Sequence, residues 1–191
     1  YRLPGLSAVL GATHDPKILV RLPAYVVGVG LLEESVKAVP LLWIFVRNRE
    51  PGTLREISYL GCVSGFAFGV SEAVSYSLFY AQGVASGSMS LGAFVVVQLT
   101  RLITLPLLHA VFSGVAGVFI ALGVETRSLR VALILSGLGL AALIHGVYNA
   151  LSGTLLGFAV AVAAVLLFIG YVRGVEEMRI GVRAAARELD G

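Results

Sequence analysis

Along the chain, long apolar runs alternate with short polar or small-residue breaks. Runs long enough for a spanning helix of about 20 residues fall at 22–46, 57–80, 93–122, 131–151 and 154–173. The breaks are "RNREPGTLRE", "AQGVASGSMSLG", "VETRSLR" and "SGT", built from the Pro, Gly, charged and small polar residues that end helices. The third run is long enough to tilt, and Pro106 inside it predicts a kink. After the fifth run, "RGVEEMRIGVRAAARELD" sets Val175, Met178, Val182, Ala185 and Leu189 on one stripe among charges. That is the pattern of an amphipathic helix on a membrane surface, with a partner-binding or dimerising helix as the alternative. The expected fold is all-α: a polytopic transmembrane helix bundle of about five core spans plus a C-terminal amphipathic surface helix. Residues 1–174 read as one membrane-embedded domain and 175–191 as its tail.

Composition agrees. Of 191 residues, 58% are hydrophobic and 13% charged, where a soluble domain carries about 25% charged residues. With a mean hydropathy of +0.92, the chain cannot cover a water-facing surface. A single cysteine, Cys62, excludes an internal disulfide framework and a Cys-based zinc site. The chain opens at Tyr1 rather than Met and so reads as a trimmed fragment; residues 1–17 lack the basic start of a secretory signal.

Charge changes the picture through its location. Arg47, Arg49, Arg55, Arg127, Arg130 and Arg173 fall in connections on one side, and the two connections on the other side carry no charge. The positive-inside rule places the Arg-rich side and the C-terminus in the cytoplasm, although Lys17 and Arg21 run against it.

The spans themselves contain ionisable and polar residues: Glu33, Glu34 and Lys37, then Glu72, Arg101, His109, His145 and Asn149. Charge inside hydrocarbon is costly and marks function by default. Counted by helix rise, Glu33, Glu34, Glu72, His109 and His145 fall within a slab roughly 8 Å thick although they come from four helices. Glu33 and Lys37 share a face at i, i+4, as do His145 and Asn149. Small residues on the same helices (Gly65 and Gly69, Ser113 and Gly117, Ala142 and Gly146) permit close approach. Carboxylates with imidazoles are a donor set for a catalytic divalent metal that leaves one position for water. Singly, each residue has a plainer reading: His as an interhelical hydrogen-bond donor, Glu72 as a protonated carboxyl, Asn149 as glue, Lys37 and Arg101 as counter-charges or snorkelling groups.

"EESVK" at 33–37, "FGVSE" at 68–72, "RLITLPLLHAVFSG" at 101–114 and "HGVYN" at 145–149 follow one another on successive spans. In this order and spacing they resemble the PrsW family of intramembrane proteases, within the wider superfamily that includes CAAX prenyl endopeptidases. The similarity covers roughly residues 20–152. CAAX-type members carry a His where Glu72 stands and an Arg one position beyond Lys37, so the chain sits nearer PrsW. The resemblance implies regulated proteolysis of a membrane-spanning substrate, of anti-sigma-factor type, in a prokaryotic plasma membrane.

On that reading Glu33 is the general base, Glu34 a further ligand or an orienter, and Asn149 the oxyanion donor. Glu72, His109 and His145 are the expected ligands of a zinc ion. Metal-free activation of water by Glu and His, as CAAX-type relatives suggest, stays open. The expected partners are the substrate and the lipid bilayer, with self-association also open and nucleic acid excluded. A proton- or ion-coupled transporter using the same Glu/His cluster is the alternative function, and a scaffold held together by its polar residues a third.

Overall fold

A computed structural model of the chain describes residues 4–47 and 53–190; Arg49 of the first connection lies outside them. The described residues are helical almost throughout and include no strand. Helix α1 (Pro4–Gly11) leads through a 3-10 turn (Ala12–His14) to α2 (Ile18–Pro23). The backbone continues without a break through π-helical turns at Ala24–Leu31 into α3 (Leu32–Arg47). Then follow α4 (Leu54–Ala85), α5 (Leu91–Glu125), α6 (Arg130–Leu151) and α7 (Leu155–Asp190). Thr53 and Glu56 exchange hydrogen bonds as a capping box at the start of α4. Ser90 accepts from the backbone of Ala93 to cap α5. Gly87 and Gly153, at φ +75° and +80°, turn the chain where a side chain would be strained.

Helices α4 to α7 are each long and apolar enough to cross a membrane. The first expected span is present as the continuous helical run 18–47, with π-helical turns in its middle. Continuous apolarity hides such turns, because the hydrogen bonds shift by one residue while the composition stays the same. Helix α5 continues through Pro106 without interruption.

Helix α5 is the central post, packed by α3, α4, α6 and α7. The small residues set how close the others come. A Cβ added at Gly65 would collide with the His109 carbonyl, and one at Gly69 would lie 2.7 Å from the Pro106 Cα. Gly30 is pressed against the Ala142 backbone, and Gly146 against Val26. Near the Arg-rich end, Leu41, Ile57, Val118, Leu122 and Val175 form a solid apolar core. Outside, Leu78, Phe79, Val96 and Leu155 are exposed, as expected of side chains that meet lipid.

The C-terminal segment is helical, but it continues α7 rather than starting a new element. No proline separates the span from the tail, and 36 residues give about 54 Å of helix, well beyond the hydrocarbon core. The apolar stripe finds its partner in the bundle: Val175 is buried in the apolar core, and Met178 and Val182 pack against it. Arg179 and Arg183 both bond to Glu125 at the end of α5.

Candidate metal centre

The π-helical turns end just before Glu33 and Glu34, which occupy the first turn of α3. Such turns re-aim the side chains that follow them. Glu34 points into the bundle, with its side chain 0% exposed, whereas Glu33 is 23% exposed. Lys37, one turn on, is buried and lies 2.7 Å from Glu34 Oε1 and 3.4 Å from Glu33 Oε2.

The two imidazoles enter from α5 and α6. His109 Nε2 lies 2.7 Å from Glu72 Oε2, and its Nδ1 lies 2.6 Å from the Lys37 ammonium. An ammonium can only donate, so Nδ1 carries the lone pair and Nε2–H donates to Glu72. His145 Nδ1 lies 3.0 Å from Glu34 Oε1, and a carboxylate can only accept, so Nδ1 carries the proton and Nε2 the lone pair. Phe112 stacks on the His145 ring at 5.0 Å, and Phe68 lies 5.4 Å from the His109 ring, so neither imidazole can turn freely.

The two inner nitrogens therefore face one region, His145 Nε2 with its lone pair and His109 Nδ1 with a lone pair that accepts from Lys37. Glu33 Oε2 stands 3.9 Å from His109 Nδ1 and 3.8 Å from His145 Nε2. These are acceptors facing acceptors, beyond hydrogen-bond reach of one another. The Lys37 ammonium, bonded to His109 Nδ1 and 3.4 Å from Glu33 Oε2, supplies the positive charge that such a grouping needs, and a metal ion would take its place at His109 Nδ1. Glu33, His109 and His145 each offer a donor atom, all within 4.8 Å of one another. Donors around a tetrahedral zinc stand about 3.3–3.6 Å apart, given bond lengths of ~2.0–2.2 Å. The two distances from Glu33 need to shorten by a few tenths of an ångström, and the one between the imidazoles, within 4.8 Å, by up to about 1.5 Å. Each imidazole has its outer nitrogen held by a carboxylate, the support that metal-ligating histidines commonly have. The residues fit a divalent metal.

Five of the six sequence-predicted site residues, Glu33, Glu34, Glu72, His109 and His145, come together, with a division of labour that spacing did not specify. Glu72 lies against the outer nitrogen of His109 rather than inside the donor trio. Glu34 holds His145 and Lys37 and also accepts from Ser113 Oγ at 3.0 Å. Ser113 entered the sequence reading only as a small residue. Its position one turn after His109, on the same face, was the available signal. Asn149 lies on the wall of a 660 Å3 cavity that Glu33 and Glu72 also line. Tyr76, Arg101 and Tyr148 line it too, and the aromatic pair was not anticipated. Ser152 and Gly153, in the uncharged α6–α7 connection, lie at the same cavity.

No curated protein and no solved structure matches the chain. The family model for PrsW family intramembrane metalloproteases matches residues 5–174. With carboxylate-held imidazoles facing a third donor inside an apolar helix bundle, the chain thus belongs to the PrsW family: it is a membrane protein and a protease.

Proposed function

We propose that the protein cuts a membrane-spanning protein with water admitted from the 660 Å3 cavity. The observation that carries this is the inward-facing trio of Glu33 Oε2, His109 Nδ1 and His145 Nε2. These residues would hold zinc, which suits two imidazoles and a carboxylate and, when bound, acidifies water and polarises a carbonyl. Glu34 and Glu72 fix the imidazoles through their outer nitrogens. Glu72 lines the cavity and stands outside the trio. In this reading Glu72 takes the proton from the attacking water and returns it to the leaving amine. Asn149, on the cavity wall, donates to the scissile carbonyl oxygen as it gains charge. Relative to the sequence reading, Glu33 and Glu72 exchange roles.

Residues 1–174 form the protease unit and 175–191 its tail. The Arg-rich end with the C-terminus faces the cytoplasm of a prokaryotic cell, so the cavity opens outward. An anti-sigma-factor-type substrate is what the family resemblance implies.

Purified protein in vesicles, given a single-span substrate and assayed for metal content, tests this. The expected result is cleavage, with stoichiometric metal that is lost in Glu33→Gln, His109→Ala and His145→Ala. Glu72→Gln keeps the metal site, with affinity weakened about 10- to 100-fold, and does not cleave. Loss of metal in Glu72→Gln but not in Glu33→Gln restores the first assignment. Full cleavage by metal-free protein refutes metal catalysis. Ion-driven uptake without cleavage refutes the protease.

A further inference from the structure

One cation beside the metal centre has no task in this mechanism. Arg101 sits on α5 eight residues before His109, about 12 Å of helix rise toward the side where the uncharged connections lie. It lines the same cavity as Glu33 and Glu72. Its guanidinium carbon lies 3.9 Å from the centroid of the Tyr76 ring and 5.6 Å from that of Tyr80. The two tyrosine rings stack on each other at 5.9 Å, so the guanidinium rests on a prepared aromatic platform. None of the ion pairs among the described residues includes Arg101. The carboxylates of the centre are engaged elsewhere, Glu33 and Glu34 by Lys37 and Glu72 by His109.

A guanidinium keeps its charge at any accessible pH, and charge at this depth needs a partner. The guanidinium lies over the Tyr76 ring and donates a hydrogen bond to the Tyr76 hydroxyl, and its five N–H donors leave others along the edge for a further acceptor. We propose that Arg101 is an anion subsite that binds an acidic side chain, Asp or Glu, of the substrate by a paired guanidinium–carboxylate contact. This rests on the protease reading of the neighbouring centre.

The geometry sets a register. Tyr76 is one turn past Glu72 on α4 and Arg101 a little over two turns before His109 on α5. The subsite therefore lies about 6–12 Å from the reacting centre, which an extended peptide spans in roughly two to four residues. The preferred substrate carries an acid that far from the scissile bond, on the side toward the cavity mouth.

The test uses the full chain in phosphatidylcholine vesicles and single-span substrates with Asp, Asn or Lys stepped along both flanks of the cut. Wild type is expected to lose about 10- to 100-fold in kcat/KM on Asp→Asn at one position in that window, chiefly through KM. Arg101→Glu should invert the order and cleave the Lys substrate best, a gain that damaged folding cannot produce. Equal cleavage of Asp and Asn substrates by wild type overturns the proposal. So does an Asp preference that survives in Arg101→Gln, or an Arg101→Glu protein with no preference for Lys. Rates that follow added phosphatidylglycerol rather than substrate charge assign the guanidinium to a lipid phosphate and also overturn it. If wild type cuts no substrate, the protease reading itself fails and this subsite with it.

Discussion

Removing the Glu34 charge without changing its shape would test whether the cluster is held together as buried ion pairs. Glu34 and Lys37 have side chains 0% and 1% exposed and are 2.7 Å apart. Breaking a buried pair by removing one partner typically costs ~3–5 kcal/mol. Glu34→Gln should fall near the lower end, about 2–4 kcal/mol, because Lys37 keeps Glu33 at 3.4 Å and the amide oxygen can still accept a hydrogen bond. Lys37→Met should cost about 2–3 kcal/mol, since the Glu34 carboxylate retains Ser113 and His145 as donors. The double variant removes both charges and strands only the partly exposed Glu33, so its cost should be smaller than the sum by at least ~2 kcal/mol. Unfolding free energies in mixed micelles with chelator present measure this cycle without interference from metal. Additivity within about 0.5 kcal/mol would refute the reasoning, because it would mean the two groups do not interact in the folded bundle.

Gly65→Ala should separate α4 from α5 at His109 and cost about 1–3 kcal/mol together with loss of cleavage, since the new Cβ meets the rigid His109 carbonyl. Gly170→Ala, whose Cβ meets nothing within 4 Å, is the control and should gain up to ~1 kcal/mol in thermal unfolding. Glu125→Gln should release Arg179 and Arg183 and speed amide exchange in α7 beyond Val175. Global stability should change by less than about 1 kcal/mol, because these pairs are partly exposed.

What the sequence disclosed follows from what composition can encode. Span positions were legible because each run had to be apolar over its whole length. The convergence of Glu33, Glu34, Glu72, His109 and His145 was legible because helix rise converts residue number into depth. Rotation about each helix axis was less accessible. Depth alone could not tell that Glu34 faces inward while Glu33 meets the cavity, since that depends on the π-helical turns before them. Nor could it tell which imidazole nitrogen faces the centre, because that choice is fixed by partners on other helices. The tail's stripe met an unexpected surface and held only part of the way: Val175, Met178 and Val182 cover the bundle's own end, whereas Ala185 is exposed and Ala186 is buried.

The bundle is asymmetric along its axis, and that asymmetry suits hydrolysis within a membrane. Below the cluster, Ala38, Leu41 and Ile57 pack with Val118 and Leu122 into a solid apolar core. Above it, a 660 Å3 cavity brings Glu33 and Glu72 to its wall while Glu34, Lys37 and both imidazoles stay buried. Water approaching through the cavity meets the two partly exposed carboxylates first. The buried groups behind them keep a fixed arrangement, because every polar contact that Glu34 makes is inside the bundle. A cluster wetted from both ends would lose that rigidity, and one sealed at both ends would exclude the co-substrate. The burial of Glu34 and Lys37 is thus the structural counterpart of the accessibility of Glu33 and Glu72: an electrostatically preorganised floor beneath a wet face.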